Sequence, residues 1–178
     1  MSVADDKAGG APLRRSLDIA RKEVRLLTQT RARLFRRRVS VDPAWVRRVA
    51  ADAELSERLE AFTARFARLQ NTVMDKLLPR VLAFAGEAVG SAIDNLNRAD
   101  RLGWVERPQE WIGLRQLRNK LVHEYMEDAA EFAAILNDVL RLSSALIEAV
   151  ERIRRYAEHR LSKSKGRRGV IPRPARGR

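Results

Sequence analysis

The chain has 178 residues, no cysteine, two histidines and a formal net charge of +13, from 36 Lys and Arg against 23 Asp and Glu. That length predicts one domain with a substantial core, and the composition excludes disulfides and thiolate metal sites. Two widely separated histidines also make a zinc centre a poor reading, so no metal or cofactor is expected.

The opening residues, MSVADDKAGGAP, are polar and hold no apolar signal core. No apolar run approaches the roughly 20 residues of a membrane span. A soluble, cytoplasmic protein without membrane association is expected, and the lack of cysteine fits a reducing compartment. A field of this sign concentrates polyanions, and nucleic acid is the commonest of these inside cells.

Residues 1–12 read as a flexible N-terminus, 13–161 as one helical domain and 162–178 as a disordered basic tail. Leu17, Ala20, Val24, Leu27 and Leu34 recur at helical spacing and predict an amphipathic helix over 13–38. Asp42-Pro43 is an N-cap followed by proline at the first helical position. Helix then continues to about residue 78, with a break near Ala53. Leu55, Leu59, Phe62, Phe66 and Leu69 form its buried stripe, and Pro79 interrupts or kinks it. A short apolar helix to about Ala88 follows, and another from Ser91 to about Leu102. The next starts at Pro108 and runs into the stretch RNKLVHEYMED, Arg118 to Asp128. Asp128, with Glu131 three residues on, reads as an N-cap with a capping-box partner. A long helix from Phe132 and Ile135 through Ile153 to about Leu161 completes the chain. No alternating strand pattern, repeat or glycine-rich phosphate loop is visible, so the fold class is an all-α bundle.

The tail, SKSKGRRGVIPRPARGR, holds seven basic residues and no acid, more than half of the net charge. It has little to bury. A solubilising extension and an RNA-contacting arm are equal readings of it.

The stretch at Arg118 combines unusual chemistry. On a helix over 109–124, at about 100° per residue, Leu114, Leu117 and Leu121 share one core-facing stripe. Arg118 and Tyr125 lie within about 60° of that stripe, whereas Asn119 and His123 point to the opposite side. Arg118 and His123 are then about 140° apart and do not converge on one small target. Either the helix unwinds before His123, or a second copy of the motif supplies the missing partner. Arginine binds phosphate through a planar fork of donors, and histidine exchanges protons near neutral pH. With asparagine to orient a hydroxyl or the imidazole, the set suits metal-free RNA transesterification, in which the 2′-hydroxyl attacks the adjacent phosphate. An exposed Arg and His at this spacing are far more often a solvated helix face than a reaction centre.

LRQLRNKLVHEYMED resembles the R-x4-H-x-Y motif of HEPN-domain toxins, the HepT-like helical partners of minimal nucleotidyltransferase antitoxins. RFARLQNTVMDKLLPRVL (65–82) and NLNRADRLGWVERPQEWIGLRQLRNKLVHEY (95–125) are similar to the segments of that family around the motif, so the likeness covers about 55–150. The resemblance implies a HEPN-type antiparallel helical bundle and an endoribonuclease active as a homodimer. It places Arg118, Asn119 and His123 on the catalytic positions. It places Tyr125 on the tyrosine to which the antitoxin transfers AMP from ATP. The helix over 13–38, with Arg31, Arg33, Arg36, Arg37 and Arg38, has no counterpart in the family, and neither has the tail. The alternative reading is a non-catalytic HEPN adaptor that binds nucleotide or RNA, or presents Tyr125 to a nucleotidyltransferase.

Other features have simpler readings. Trp104 and Trp111, with Arg107 and Arg115, are better explained by packing than by base stacking. Glu106 and Glu110 suit a helix start, and His159 a solvated place near the end of the last helix; Asp75-Lys76 reads equally as a surface pair and as a contact of the motif helix.

Overall fold

The computed structural model describes residues 3–113 and 128–166, with side chains over 10–113 and 128–162. The described residues are helices and connecting turns without a strand, an all-α fold. The helices are α1 (Val3–Phe35), α2 (Pro43–Ala51), α3 (Ala53–Thr72), α4 (Leu78–Ala85), α5 (Ala92–Arg101), α6 (Pro108–Ile112) and α7 (Ala129–Gly166). A π-helical turn, Val73–Leu77, joins α3 to α4.

Cross-helix contacts give the direction of each neighbour. Phe35 of α1 packs edge-on against Phe62 of α3, with ring centroids 5.0 Å apart. Arg65 donates to the Leu26 carbonyl at 3.2 Å and to the Thr30 hydroxyl, Thr72 bonds Glu23, and Arg80 reaches Ser16. As numbers fall along α1 they rise along α3–α4, so the two run antiparallel. Against α7, Arg31 donates to the Ser144 hydroxyl at 2.7 Å, and a Cβ on Gly10 would meet Leu161 Cδ2 at 3.3 Å. These contacts are antiparallel too. α1 is therefore the shared layer between α3–α4 and α7. Its Leu13, Leu17, Ala20, Leu27, Leu34 and Phe35 are all buried. α2 bridges α3 and α7, and α5 packs on α4 and α6.

Local chemistry sets most helix limits. Asp42 Oδ1 accepts from Trp45 N–H at 2.7 Å, capping α2 ahead of Pro43. Asp52 ends α2 and caps α3 through Leu55 N–H at 3.1 Å, which is the expected break near Ala53. The α3 stripe is buried at Leu59, Phe62, Phe66 and Leu69, with Leu55 partly so. Ser91 and Asp94 form a reciprocal capping box at α5. Asp128 accepts from Ala130 N–H at 2.7 Å and Glu131 N–H at 3.3 Å, capping α7.

Several boundaries differ from expectation. α1 starts at Val3, not residue 13, so residues 3–12 are helix rather than a flexible segment. The glycine at position 10 admits close approach of α7, and Leu13 is fully buried there. Pro12 removes only one backbone donor. α1 stops at Phe35, not residue 38, because Arg36 turns left-handed at φ 54°. At Pro79 the helix continues: the preceding turn widens so that Leu78 N–H bonds the Val73 carbonyl five residues back. α4 ends at Ala85 rather than Ala88, since Gly86 adopts φ 84° and Glu87 N–H bonds the Leu82 carbonyl at 2.9 Å. α7 runs to Gly166, past Leu161, which makes 162–166 helix rather than tail. The remainder of the basic tail, 167–178, lies outside the described residues.

Candidate functional site

Arg118, Asn119, His123 and Tyr125 all fall within 114–127, outside the described residues, as do Arg115 and the stripe Leu114, Leu117 and Leu121. The structure describes the two sides from which that segment departs and returns. The chain leaves at Gly113, after α6, and rejoins at Asp128, the cap of α7.

Proline at the start of α6 and the buried Trp111 fix the departing side. Trp111 is 2% exposed and its indole N–H donates to the Glu106 carbonyl at 3.1 Å. Trp104, 4% exposed, packs on Tyr156 of α7 with centroids 4.8 Å apart. Both indoles are core, as packing predicts, and neither is a free stacking surface.

Between α6 and α7 lies a cleft of about 200 Å³, below the ~300 Å³ at which small-molecule sites begin. Its walls are charged in balance. Glu110 accepts from Arg107 at 3.0 Å and from Arg141 of α7, and Arg141 also reaches Asp138 at 3.3 Å. Arg152 donates to Glu106 at 2.6 Å and approaches Glu148 at 3.7 Å. The Arg141 bond holds the Glu110 carboxyl below the usual range, and Glu110 in turn raises Arg141. Glu106 and Glu110 thus do more than favour a helix start: they tie the α5–α6 connection and α6 antiparallel to α7. Each pair is partly exposed and contributes about 0.2–1 kcal/mol. Since each cleft arginine is matched by a carboxylate, this cleft is a brace and not an anion pocket.

Arg107 is the strained member. It precedes Pro108 yet sits at φ 52°, a region costly for a side-chain-bearing residue and disfavoured before proline. Its guanidinium bonds Glu110, which Arg141 holds from the other side.

The returning side is equally fixed. Asn137 of α7, nine residues after Asp128, holds Val41 through both its amide atoms. That contact sets the turn after α1 beside the first part of α7. Asp75 and Lys76 are exposed on the π turn, and His159 is exposed on α7, the solvated place expected for it; any contact of Asp75-Lys76 with the motif stretch lies outside the described residues. Among the described residues no group of three or more acidic or histidine side chains is placed to hold a metal ion, and no helix is long and apolar enough to cross a membrane.

Comparison of the chain with protein-family models, with curated proteins and with solved structures finds no match. What the described residues define is a class by architecture: an all-α bundle in which α6 and α7 bracket the segment carrying the Arg-His-Tyr motif.

Proposed function

We propose that this chain is a metal-independent endoribonuclease of the HEPN toxin type, acting at a composite site between two copies and silenced when a nucleotidyltransferase antitoxin adds AMP to Tyr125. The observation that carries the reading is the joint presence of Arg118, Asn119, His123 and Tyr125 in one eight-residue stretch. The braced α6–α7 frame on either side supports it, because proton transfer within about 3 Å needs rigid mounting. His123 takes the proton from a ribose 2′-hydroxyl, whose oxygen bonds to the adjacent phosphorus. Arg118 stabilises the charge that builds on the phosphate oxygens. Asn119 orients the hydroxyl or the imidazole. The bond from phosphorus to the 5′-oxygen breaks, that oxygen takes a proton, and the products are a 2′,3′-cyclic phosphate and a 5′-hydroxyl.

The test is cleavage of single-stranded RNA by the purified, unmodified protein with EDTA present. A cyclic phosphate product is expected. His123→Ala should lower the rate by about 10²–10⁴, the usual worth of a general base, and Arg118→Ala should remove most activity with the fold intact. A requirement for magnesium, or full activity in His123→Ala, overturns the reading. Tight RNA or nucleotide binding without cleavage in the unmodified protein would instead identify a non-catalytic adaptor.

A further inference from the structure

The outer face of α1 carries charge that the fold leaves unanswered. At about 100° per residue, Arg14, Arg15, Arg21, Lys22, Arg25 and Arg33 fall within an arc of roughly 120°, opposite the buried stripe of Leu13, Ala20 and Leu27. All six are exposed, and Asp18 is the one acid among them. The turn after α1 adds Arg36, Arg37 and Arg38, and α2 adds Arg47 and Arg48, all exposed. Among the described residues none of these eleven side chains is ion-paired. Ahead of α6 and along α7, Arg107, Arg141, Arg152 and Arg154 each hold a carboxylate, and among the described residues of α7 Arg155 and Arg160 are the exposed arginines outside any ion pair. The chain prefers arginine to lysine throughout, so the choice of arginine says little. The missing partners are the informative difference.

A second observation comes from Arg36. It occupies the left-handed position that ends α1, where glycine or asparagine is the usual occupant. Its charge stands there against the backbone preference. The Asn137 contact to Val41 then fixes where this turn lies: beside α7, nine residues or about 14 Å from Asp128, where the motif segment joins. The basic face of α1 therefore runs the length of the bundle toward the motif end.

An anionic membrane would suit such charge less well. A membrane-surface helix inserts its apolar side, and the apolar side of α1 is inside the core. A chain of phosphates needs no insertion, and guanidinium groups match phosphate oxygens in number and geometry.

We propose that the outer face of α1, continued by the Arg36–Arg38 turn, is a track for the RNA backbone that leads substrate to the motif end of the bundle. The proposal rests on RNA being the substrate, as argued above. It is tested by fluorescence anisotropy with a labelled single-stranded oligoribonucleotide, using full-length protein carrying His123→Ala so that the probe stays intact. Arg15→Ala/Lys22→Ala/Arg33→Ala should weaken binding at least tenfold near 0.1 M salt. The slope of log affinity against log salt should become shallower by about 2, given roughly 0.7 per phosphate contact on a single strand. Arg173→Ala/Arg176→Ala/Arg178→Ala removes the same charge from the C-terminal end and should do much less. Equal losses in the two triple variants would show diffuse attraction and overturn the track. Binding to phosphatidylserine vesicles in place of RNA would overturn it as well. Arg36→Gly should lower affinity severalfold while raising the thermal midpoint, and unchanged affinity there counts against the proposal. The two readings fail separately. A wild-type protein that never cuts RNA, with binding still lost only in the α1 triple, sinks the nuclease and keeps the track. A wild-type protein that cuts, with an α1 triple that binds normally, does the reverse.

Discussion

Asn137 holds both backbone polar groups of Val41: Asn137 Oδ1 accepts from the Val41 N–H at 2.8 Å, and Asn137 Nδ2 donates to the Val41 carbonyl at 3.0 Å. One side chain in the first part of α7 thereby satisfies two backbone groups of the turn after α1. Asn137→Ala removes both bonds and leaves the Val41 groups without that partner. The expected cost is about 1–3 kcal/mol. It should appear in urea unfolding as a lower midpoint with an unchanged slope, because the surface exposed on unfolding is the same.

Glu23 gives the fold an acid-side signature. Its carboxylate faces Thr72, Arg68 and Lys76 from α3 and the π turn, yet burial outweighs their attraction and raises its pKa above the ordinary 4.5. One of its oxygens, Oε2, is buried without a hydrogen-bond partner. A raised carboxyl pKa means that the folded state binds more protons than the unfolded state just above pH 4.5. Stability from this group is therefore present below that pH and lost as pH rises through the folded value. Glu23→Gln should flatten that decline. Thermal midpoints of the two proteins across pH 4–7 check it, and parallel curves would show that Glu23 does not contribute.

The composite site proposed above carries an expectation about stoichiometry. If Arg118 of one copy works with His123 of the other, Arg118→Ala and His123→Ala subunits are each nearly inactive alone. Mixed after brief unfolding, they should regain part of the activity, since one of the two sites in a heterodimer keeps both groups. Light scattering at micromolar concentration should give a dimer. A monomer at that concentration removes the composite site.

Tyr125 should take AMP when the chain is expressed with a cognate nucleotidyltransferase and ATP. If 118–125 is one helix, Tyr125 shares nearly one stripe with Arg118, seven residues or about 10 Å away, and on the proposed function an added phosphate would compete with RNA for the same cation. Intact mass spectrometry should show addition of one or more AMP units, with loss of cleavage. Tyr125→Phe should abolish both the addition and the silencing. Modification elsewhere with silencing retained would move the switch to another residue.

What was legible in the sequence depended on whether its cause is local. Asp42-Pro43, Ser91, Pro108 and Asp128 mark helix starts through their own side chains or rings, and the structure has helices beginning at each. The end of α1 was not legible, because Arg36 sits where a glycine would have announced the turn. The wide turn before Pro79 was equally hidden: proline signals a missing donor, not whether the helix breaks or widens around it. Ser91 announces the start of α5 by itself, and the reciprocal bond from Asp94 adds a full capping box to it. The braces from Glu106 to Arg152 and from Glu110 to Arg141 join residues more than 30 positions apart, and no spacing rule reaches that far. The candidate site is legible as a set of residue types. Its mutual geometry belongs to 114–127, outside the described residues.

The shared position of α1 has a consequence for how the chain is made. Its contacts to α3 and α4 close once residue 85 has left the ribosome, but its other neighbour, α7, is synthesised after the other described helices. At roughly 5–20 residues per second, the interval from Gly86 to Gly166 lasts about 4–16 s. Throughout it the α1–α4 half exists without the helix that later lies against Gly10 and Arg31. A nascent chain of this protein thus presents an uncovered apolar seam for seconds. In that window a chaperone, or a second nascent copy, competes with its own α7 for the same surface.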